Sequence, residues 1–138
     1  MKSHLGHIQC NIDFKHNIGF YKDLMKFLGW SEIYVGDDIA GYTSGGEKSA
    51  NVWYLPAKNP GDHDYDGIGM NHVGIQVAEK KDVDAVVDYI KEKNITPLFD
   101  TPRHRPEFAH GEDKTYFQVM FESPDKILFE IMYTGPKK

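Results

Sequence analysis

HIQCNI at residues 7–12 and HVGIQV at residues 72–77 are two copies of one pattern. Each copy opens with a histidine and then alternates in polarity, and an alternation of period two is the signature of a β-strand. In the first copy Ile8, Cys10 and Ile12 share one face, and the other face is polar and begins with His7. Because the two histidines hold the same place in each copy, we predict a site that the copies share.

The segments that follow the two strands repeat the same order of predicted elements. Apolar spacing of three and four residues predicts helices, and period-two alternation predicts strands. The first copy has a strand at 5–13, a helix at 17–28 capped by Asn17 and ended by Gly29, and strands at 30–35, 39–43 and 50–55. The second copy has a strand at 71–77, a helix at 81–93, and strands at 96–100, 115–122 and 127–133. Each half therefore reads strand–helix–strand–strand–strand.

This order predicts an α+β fold of two βαβββ modules, whose curled mixed sheets surround a shared cavity. We predict a single domain over residues 1–138, with module 1 at about 5–57 and module 2 at about 70–134. The segment between them, 58–69, is rich in Gly and Asp and has few apolar residues, which is typical of a linker or an exposed loop.

The bulk composition excludes several classes of function. A net charge of −5 with dispersed basic residues disfavours nucleic acid as a partner. No apolar run approaches the roughly 18 residues of a membrane span, and no signal-like region opens the chain, so we expect a cytoplasmic protein without a membrane partner. Cys10 is the only cysteine and lies inside a strand pattern, where a small buried hydrophobe is the favoured interpretation over a catalytic thiol.

Three side chains are candidate metal ligands: His7, His72 and Glu130. Glu130 lies between Leu128 and Met132 on one face of an apolar strand, and a carboxylate buried there without a partner would cost several kcal/mol. A solvated glutamate on an edge strand and two structural histidines are the alternative interpretation. Two imidazoles and one carboxylate leave coordination positions open and suit Fe(II), Mn(II) or Zn(II).

The order and spacing of these segments resemble the vicinal oxygen chelate superfamily, also called the glyoxalase/bleomycin resistance/dioxygenase superfamily. The resemblance runs from Leu5 to Tyr133 and is carried by residues 7–12, 20–24, 27–30, 71–77 and 116–130. It implies two βαβββ modules with a divalent metal between them, held by His7, His72 and Glu130. The ion would be Fe, Mn, Zn or Ni.

The chain departs from the family pattern at two points. A fourth ligand, Glu or Gln, often stands on the last strand of the first module, where this chain has Trp53, or Asn51 if the register slips by two. Ser123 and Lys126 stand at the ends of the turn that is Asp-Pro-Asp-Gly in the family. The first departure disfavours a four-ligand isomerase of the glyoxalase I type. It favours three-ligand members, such as extradiol dioxygenases and fosfomycin-modifying enzymes.

The predicted irregular loop 102–113 is the candidate substrate gate. Arg103 or Arg105 could hold an anionic substrate there, and His110 could move protons near neutral pH beside Tyr116. The catalytic candidates are therefore Glu130, His110 and Tyr116. A solvated charged loop is the competing interpretation. Strand parity adds cavity walls at Gln9, Trp53 and Tyr42.

The resemblance implies a metal-dependent enzyme that acts on a small oxygen-rich molecule. Its chemistry would be of the lyase or isomerase, transferase, or extradiol dioxygenase type. The alternative is a metal-free protein of the bleomycin-resistance type that sequesters a small molecule, and a third interpretation is a vestigial scaffold. We expect a homodimer, since dimers are common in this superfamily. Whether the modules pair within one chain or across the dimer stays open.

Overall fold

A computed structural model describes residues 1–46 and 48–138, and it contains two four-stranded mixed sheets with one α-helix on each. The chain divides into two compact units, Met1–Gly61 and Asp62–Lys138. Each unit carries strand, helix and three strands in that order, so the predicted α+β fold of two βαβββ modules is confirmed. Neither of the described α-helices has the length and apolar character that crossing a membrane requires.

Unit 1 consists of one helix and one sheet. Its elements are β1 (His7–Ile12), α1 (Phe14–Phe27), β2 (Ser31–Val35), β3 (Ala40–Thr43) and β4 (Asn51–Pro56). The strand order is β1-β4-β3-β2, with β1 parallel to β4 and the other pairs antiparallel. Helix α1 begins at Phe14, not at the predicted Asn17. The Asp13 carboxylate caps it by accepting from the backbone N–H of His16 at 3.4 Å, which draws the buried Phe14 into the first turn.

Unit 2 repeats this arrangement. Its elements are β5 (His72–Gln76), α2 (Lys80–Glu92), β6 (Leu98–His104), β7 (Lys114–Glu122) and β8 (Leu128–Pro136), with a short 3-10 helix at Pro106–Phe108. The strand order is β5-β8-β7-β6, again with a parallel first pair. A capping box between Glu79 and Asp82 starts α2, and Val83, Val86 and Ile90 are its buried stripe.

The core of unit 1 corrects one of the predicted cavity walls. Tyr42 is 1% exposed and pairs in register with the buried Val52, and its ring meets that of Tyr54 at 6.1 Å. The Tyr54 hydroxyl donates to the Met25 sulfur on α1, so this face of the sheet is the helix side. Tyr42 is therefore a core residue, and its assignment to the cavity wall was wrong. Gly41, and not Tyr42, is the register partner of Trp53, so Tyr42 lies on the opposite face of the sheet from Trp53.

Trp53 lies on the opposite face of the sheet from Tyr54. Its ring rests on the backbone of Gly41, its partner in register on β3. A Cβ added to Gly41 would lie 2.4 Å from the Trp53 ring, so only glycine permits this close packing. Gln9 of β1 is the register partner of Trp53 on the other side, and its amide donates to the Asn11 side chain at 2.9 Å.

A wide bulge interrupts β6 and corrects the prediction of an irregular loop from residue 102. The strand continues through Arg103 and His104, but Leu98 pairs with Met120 and Arg103 pairs with Gln118, so four residues of β6 oppose one of β7. Within the bulge Phe99 and Asp100 adopt φ of 57° and 56°. This left-handed conformation costs a non-glycine residue about 1–2 kcal/mol.

The bulge is tied down by one hydroxyl. Thr101 is buried, and its Oγ1 donates to the carbonyl of Leu98 at 2.6 Å and accepts from the backbone N–H of Met120 at 2.9 Å. These two bonds replace ladder bonds that the extra residues of β6 displace. They hold the bulge, with its half-exposed Phe99, against β7.

The thiol of Cys10 should react slowly because it is buried. The thiol is buried in β1, and desolvation raises its pKa to about 11, so roughly one thiol in a thousand is ionised at pH 8. We expect it to react with a disulfide reagent at least about 100-fold more slowly in the native protein than in denaturant, since the thiolate is the nucleophile. Stopped-flow absorbance measures both rates. Equal rates would contradict the burial.

Candidate functional site

A cleft of about 800 Å³ opens on one face of the unit 2 sheet. Alternate residues of β7 line it, namely Tyr116, Gln118 and Met120. Side chains alternate along a strand, so the residues between them face the other way. Phe117 shows this, since its ring centre lies 4.0 Å from the ammonium group of Lys80 at the start of α2. The cleft therefore lies on the face of the sheet that α2 leaves uncovered.

Glu130 and His72 meet at the floor of this cleft. They stand on adjacent parallel strands, and Glu130 pairs in register with Gly74, two residues beyond His72. The Glu130 carboxylate Oε2 lies 2.9 Å from His72 Nε2, with the glutamate side chain 7% exposed and the histidine 36% exposed. A Cβ at Gly74 would lie 3.2 Å from the Met132 methyl group, so glycine gives the Met132 side chain room beside this pair.

The second oxygen of Glu130 accepts from two neighbours on β7. The Tyr116 hydroxyl donates to Oε1 at 2.7 Å. The Gln118 amide nitrogen belongs beside the same oxygen, because in that orientation it donates to Oε1 at 2.5 Å and its own oxygen accepts from Arg105 Nη1 at 3.3 Å. The carboxylate is thus buried but fully partnered, which offsets the cost of removing it from water.

Tyr116 is held in its protonated, donating form. Burial, followed by the hydrogen bond to Glu130, raises the pKa of its hydroxyl well above the ordinary value. A phenol in this state donates a hydrogen bond at any physiological pH. Tyr116 therefore fixes the orientation of the Glu130 carboxylate.

Arg105 connects the floor of the cleft to its rim. Its Nε donates to Glu107 Oε1 at 2.6 Å, and its guanidinium carbon lies 4.9 Å from the centre of the Phe108 ring. The backbone N–H of Arg105 donates to the Tyr116 carbonyl at 2.7 Å, which anchors this loop to β7. The Phe108 ring in turn meets Tyr116 edge-on at 5.4 Å. The loop that sequence predicts to be a gate thus supplies a cation and an aromatic ring to the cleft.

The remaining predicted site residues are distributed over both units. His110 lines the cleft, whereas Arg103 is exposed and is not among the lining residues. His7, Gln9 and Trp53 belong to unit 1, on the neighbouring strands β1 and β4. Among the residues that the structure describes, neither unit by itself brings three His, Cys, Asp or Glu side chains together.

Gln118 belongs to this site although it was not predicted from the sequence. It is 1% exposed, on a strand whose other buried residues are mostly apolar. The signal was present in the sequence, since Gln118 stands two positions from Tyr116 and therefore shares its face. A buried amide is a costly choice on an apolar strand unless it is hydrogen-bonded, and this marks it as part of the network around Glu130.

Comparisons with known proteins agree with this architecture. The family model described as Glyoxalase/Bleomycin resistance protein/Dioxygenase superfamily matches residues 4–131. A comparison with curated protein sequences found no match.

Solved structures share the fold over nearly the whole chain. A candidate glyoxalase from Bacillus halodurans is 24% identical, with a TM-score of 0.74 and 94% of each chain covered. A glyoxalase/dioxygenase from Nostoc punctiforme is 17% identical, with a TM-score of 0.69 and coverage of 95% of this chain and 90% of that one. A fosfomycin resistance protein from Listeria monocytogenes, in complex with Mn(II) and sulfate, is 18% identical, with a TM-score of 0.67 and coverage of 96% and 91%.

Proposed function

Because the chain belongs to the glyoxalase/bleomycin resistance protein/dioxygenase superfamily, we propose that it is a metal-dependent enzyme that acts on a small oxygen-rich molecule. The reaction would be of the lyase or isomerase, transferase, or extradiol dioxygenase type. The observation that carries the proposal is the pairing of His72 with the buried Glu130 at 2.9 Å on the floor of an open cleft. An imidazole and a carboxylate on adjacent strands are two of the three ligands that a site with open positions needs.

The donor set fits a divalent metal in its chemistry. One oxygen of Glu130 faces the His72 ring, while the other accepts from Tyr116 and Gln118. Ligating carboxylates are commonly hydrogen-bonded in this way by an outer shell of residues. His7 is the proposed third ligand, and Fe, Mn, Zn and Ni are the candidate ions. Mn(II) is the ion in the Listeria protein, which supports a metal of this type.

A bound divalent metal would act as a Lewis acid on substrate oxygens, and Fe(II) would also support oxygen chemistry. The side chains of this chain would do the rest. Arg105 would attract an anionic group of the substrate towards the cleft floor, and Tyr116 would keep the Glu130 carboxylate in place. His110, which lines the cleft, is the proposed proton carrier, since an imidazole has one nitrogen that can donate a proton and one that can accept it.

Two variants test these roles. We expect Tyr116→Phe to retain stoichiometric metal, because Gln118 still donates to Glu130 and water can reach the partly exposed position of the lost hydroxyl. We expect Arg105→Ala to retain the metal as well. Both variants should bind anionic ligands about tenfold more weakly, since Arg105→Ala removes a cation from the cleft and Tyr116→Phe removes a hydrogen bond that orients Glu130. Titration calorimetry with a phosphonate measures the affinity. Lys91→Ala, which removes an exposed cation of α2 away from the cleft, is the control, and unchanged affinity in both variants would remove the loop from the site.

Elemental analysis of protein purified without added metal or chelator tests the proposed function directly. About one equivalent of a divalent transition metal per chain is the expected result for a single site. Iron would favour oxygenation, and zinc, nickel or manganese would favour Lewis-acid chemistry. No metal in the purified protein, and none taken up on titration, would contradict the proposal.

One observation favours the second candidate, a metal-free binding protein of the bleomycin-resistance type. The contact between His72 and Glu130 partners both groups without a cation. Such a protein would bind its ligand in the cleft with the same affinity before and after treatment with a chelator. The same calorimetric titration, run on chelator-treated protein, separates the two candidates.

We also propose that the protein is a homodimer in the cytoplasm. The face of the unit 1 sheet that α1 leaves uncovered bears the exposed His7 and Gln9 and the partly exposed Trp53, a surface suited to a partner. Light scattering after size-exclusion chromatography should give twice the mass of the chain. The mass of one chain would contradict a dimer.

A further inference from the structure

The bulge of β6 holds an aromatic ring at the cleft in a conformation that the backbone disfavours. Phe99 and Asp100 both have left-handed φ, and Phe99 is nevertheless 49% exposed. Core packing therefore does not account for the strain, because Phe99 is half exposed. Strained residues that persist in a fold are concentrated at ligand sites, and Phe99 is one of the residues that line the cleft.

Phe99 is part of an aromatic rim. The ring of Tyr65 stands at right angles to it, with 6.5 Å between the ring centres. Phe108, 50% exposed, contributes a second open ring to the same cleft. Large exposed apolar surface in a concave site is a mark of ligand binding, since its burial by a ligand is favourable.

The register of the sheet gives the distance from this rim to the polar floor. Glu130 pairs with Met120 on β7, and Met120 pairs with Leu98 on β6, directly before Phe99. Two strand spacings separate the backbones of Glu130 and Leu98, which is about 10 Å. Met120 lies between them on β7 and lines the cleft, so the path from the floor to the rim crosses an apolar side chain.

We propose that the ligand of this cleft carries a flat aromatic ring that packs against Phe99, with its anionic, oxygen-bearing end directed to Arg105 and the His72–Glu130 pair. The substrate class is therefore a small aromatic acid. This inference rests on the proposed function, since it concerns the substrate of the same site. It adds the apolar half of the molecule, about which the metal ligands say nothing.

The test compares phenylphosphonate with methylphosphonate, which carry the same charged group and differ in the ring. Calorimetric titration in the presence of Mn(II) should give a phenylphosphonate affinity at least about tenfold higher, the gain expected when a ring is buried. Phe99→Gly should abolish this preference. Asp100→Gly is the matched control, because it relieves the same backbone strain one residue away and leaves the ring in place.

Several results would overturn the inference. Equal affinity for the two phosphonates, or a preference that survives in Phe99→Gly, would show that the ring is not recognised here. A preference lost equally in Asp100→Gly would assign the effect to the shape of the bulge. A Phe99→Gly variant that changes from dimer to monomer without a change in phosphonate preference would assign the exposed ring to a second copy of the chain.

Metal binding by the same two variants tests the proposed function separately from the aromatic substrate. Both variants should melt at or above the temperature of the wild-type protein, because glycine adopts the left-handed conformation without a clash. Mn(II) titration of each variant without phosphonate reports the metal site alone. Normal metal binding with no ring preference would reject the aromatic substrate and leave the metal site standing, whereas no binding of Mn(II), Fe(II), Zn(II) or Ni(II) would reject the metal-dependent enzyme.

Discussion

Glu130→Ala and His72→Ala should each abolish stoichiometric binding of a divalent metal while the protein stays folded. Each variant removes one donor of a pair whose facing atoms are 2.9 Å apart. Loss of an outer-shell partner typically lowers metal affinity about 10- to 100-fold, and loss of a direct ligand should exceed that range. Elemental analysis and Mn(II) titration measure the loss, and circular dichroism checks the fold.

Matched controls for these variants lie on the surface. Glu92→Ala, at the exposed end of α2, and His4→Ala, near the N-terminus, remove the same residue types away from the cleft. Both controls should retain the wild-type metal content. Glu130→Gln keeps the shape of the side chain and guards against a loss caused by misfolding. Full metal retention in both His72→Ala and Glu130→Ala would refute the ligand assignment.

Replacement of Gln118 should lower the metal affinity of the site although all three proposed metal ligands are kept. Gln118→Leu removes the donor to Glu130 and the acceptor of Arg105, in a position that water cannot reach because the side chain is 1% exposed. We expect Mn(II) affinity to fall about 10- to 100-fold. We also expect the free energy of unfolding to fall by about 1–3 kcal/mol, since the buried Glu130 carboxylate loses one of its hydrogen bonds and keeps the one from Tyr116.

A second variant separates hydrogen bonding from packing. Gln118→Met keeps an unbranched side chain of similar size but has no amide to donate to Glu130 or to accept from Arg105, so it should lose Mn(II) affinity as Gln118→Leu does. Gln76→Leu is the control, since Gln76 donates to Thr134 on the same sheet in an exposed position. Wild-type Mn(II) affinity in Gln118→Met would show that the amide has no part in orienting Glu130.

The sequence predicts the repeated architecture because each module buries only one face of its sheet. The alternation in β1 and β5 and the apolar stripes of both helices express that burial directly. Asp13 displaced Asn17 as the cap of α1 because two capping residues stand four positions apart, and the buried Phe14 favours the earlier one. Helix boundaries of this kind depend on tertiary packing.

The sequence predicted several residues of the candidate site, but it predicted neither the backbone bulge nor the hydrogen bonds between them. Glu130 stood out as a carboxylate among apolar neighbours, and Tyr116 stood next to the predicted loop. The bulge at Phe99 was not predictable, because left-handed φ at two non-glycine residues has no compositional signal. The bond between Gln118 and Glu130 depends on which residues of β7 and β8 lie diagonally across the ladder, and no local pattern contains that register.

The parallel pairing of the first and last strands of each module has a consequence for synthesis on the ribosome. His72 pairs in register with Leu128, so the β5–β8 ladder closes over a long stretch of intervening chain. Such nonlocal pairing slows folding, because loop-closure entropy is lost before the contacts form. The sheet of module 1 can close while module 2 is still being translated, but the nascent chain has no Glu130 beside His72 until its last strand emerges. The cleft is therefore among the last features of module 2 to form.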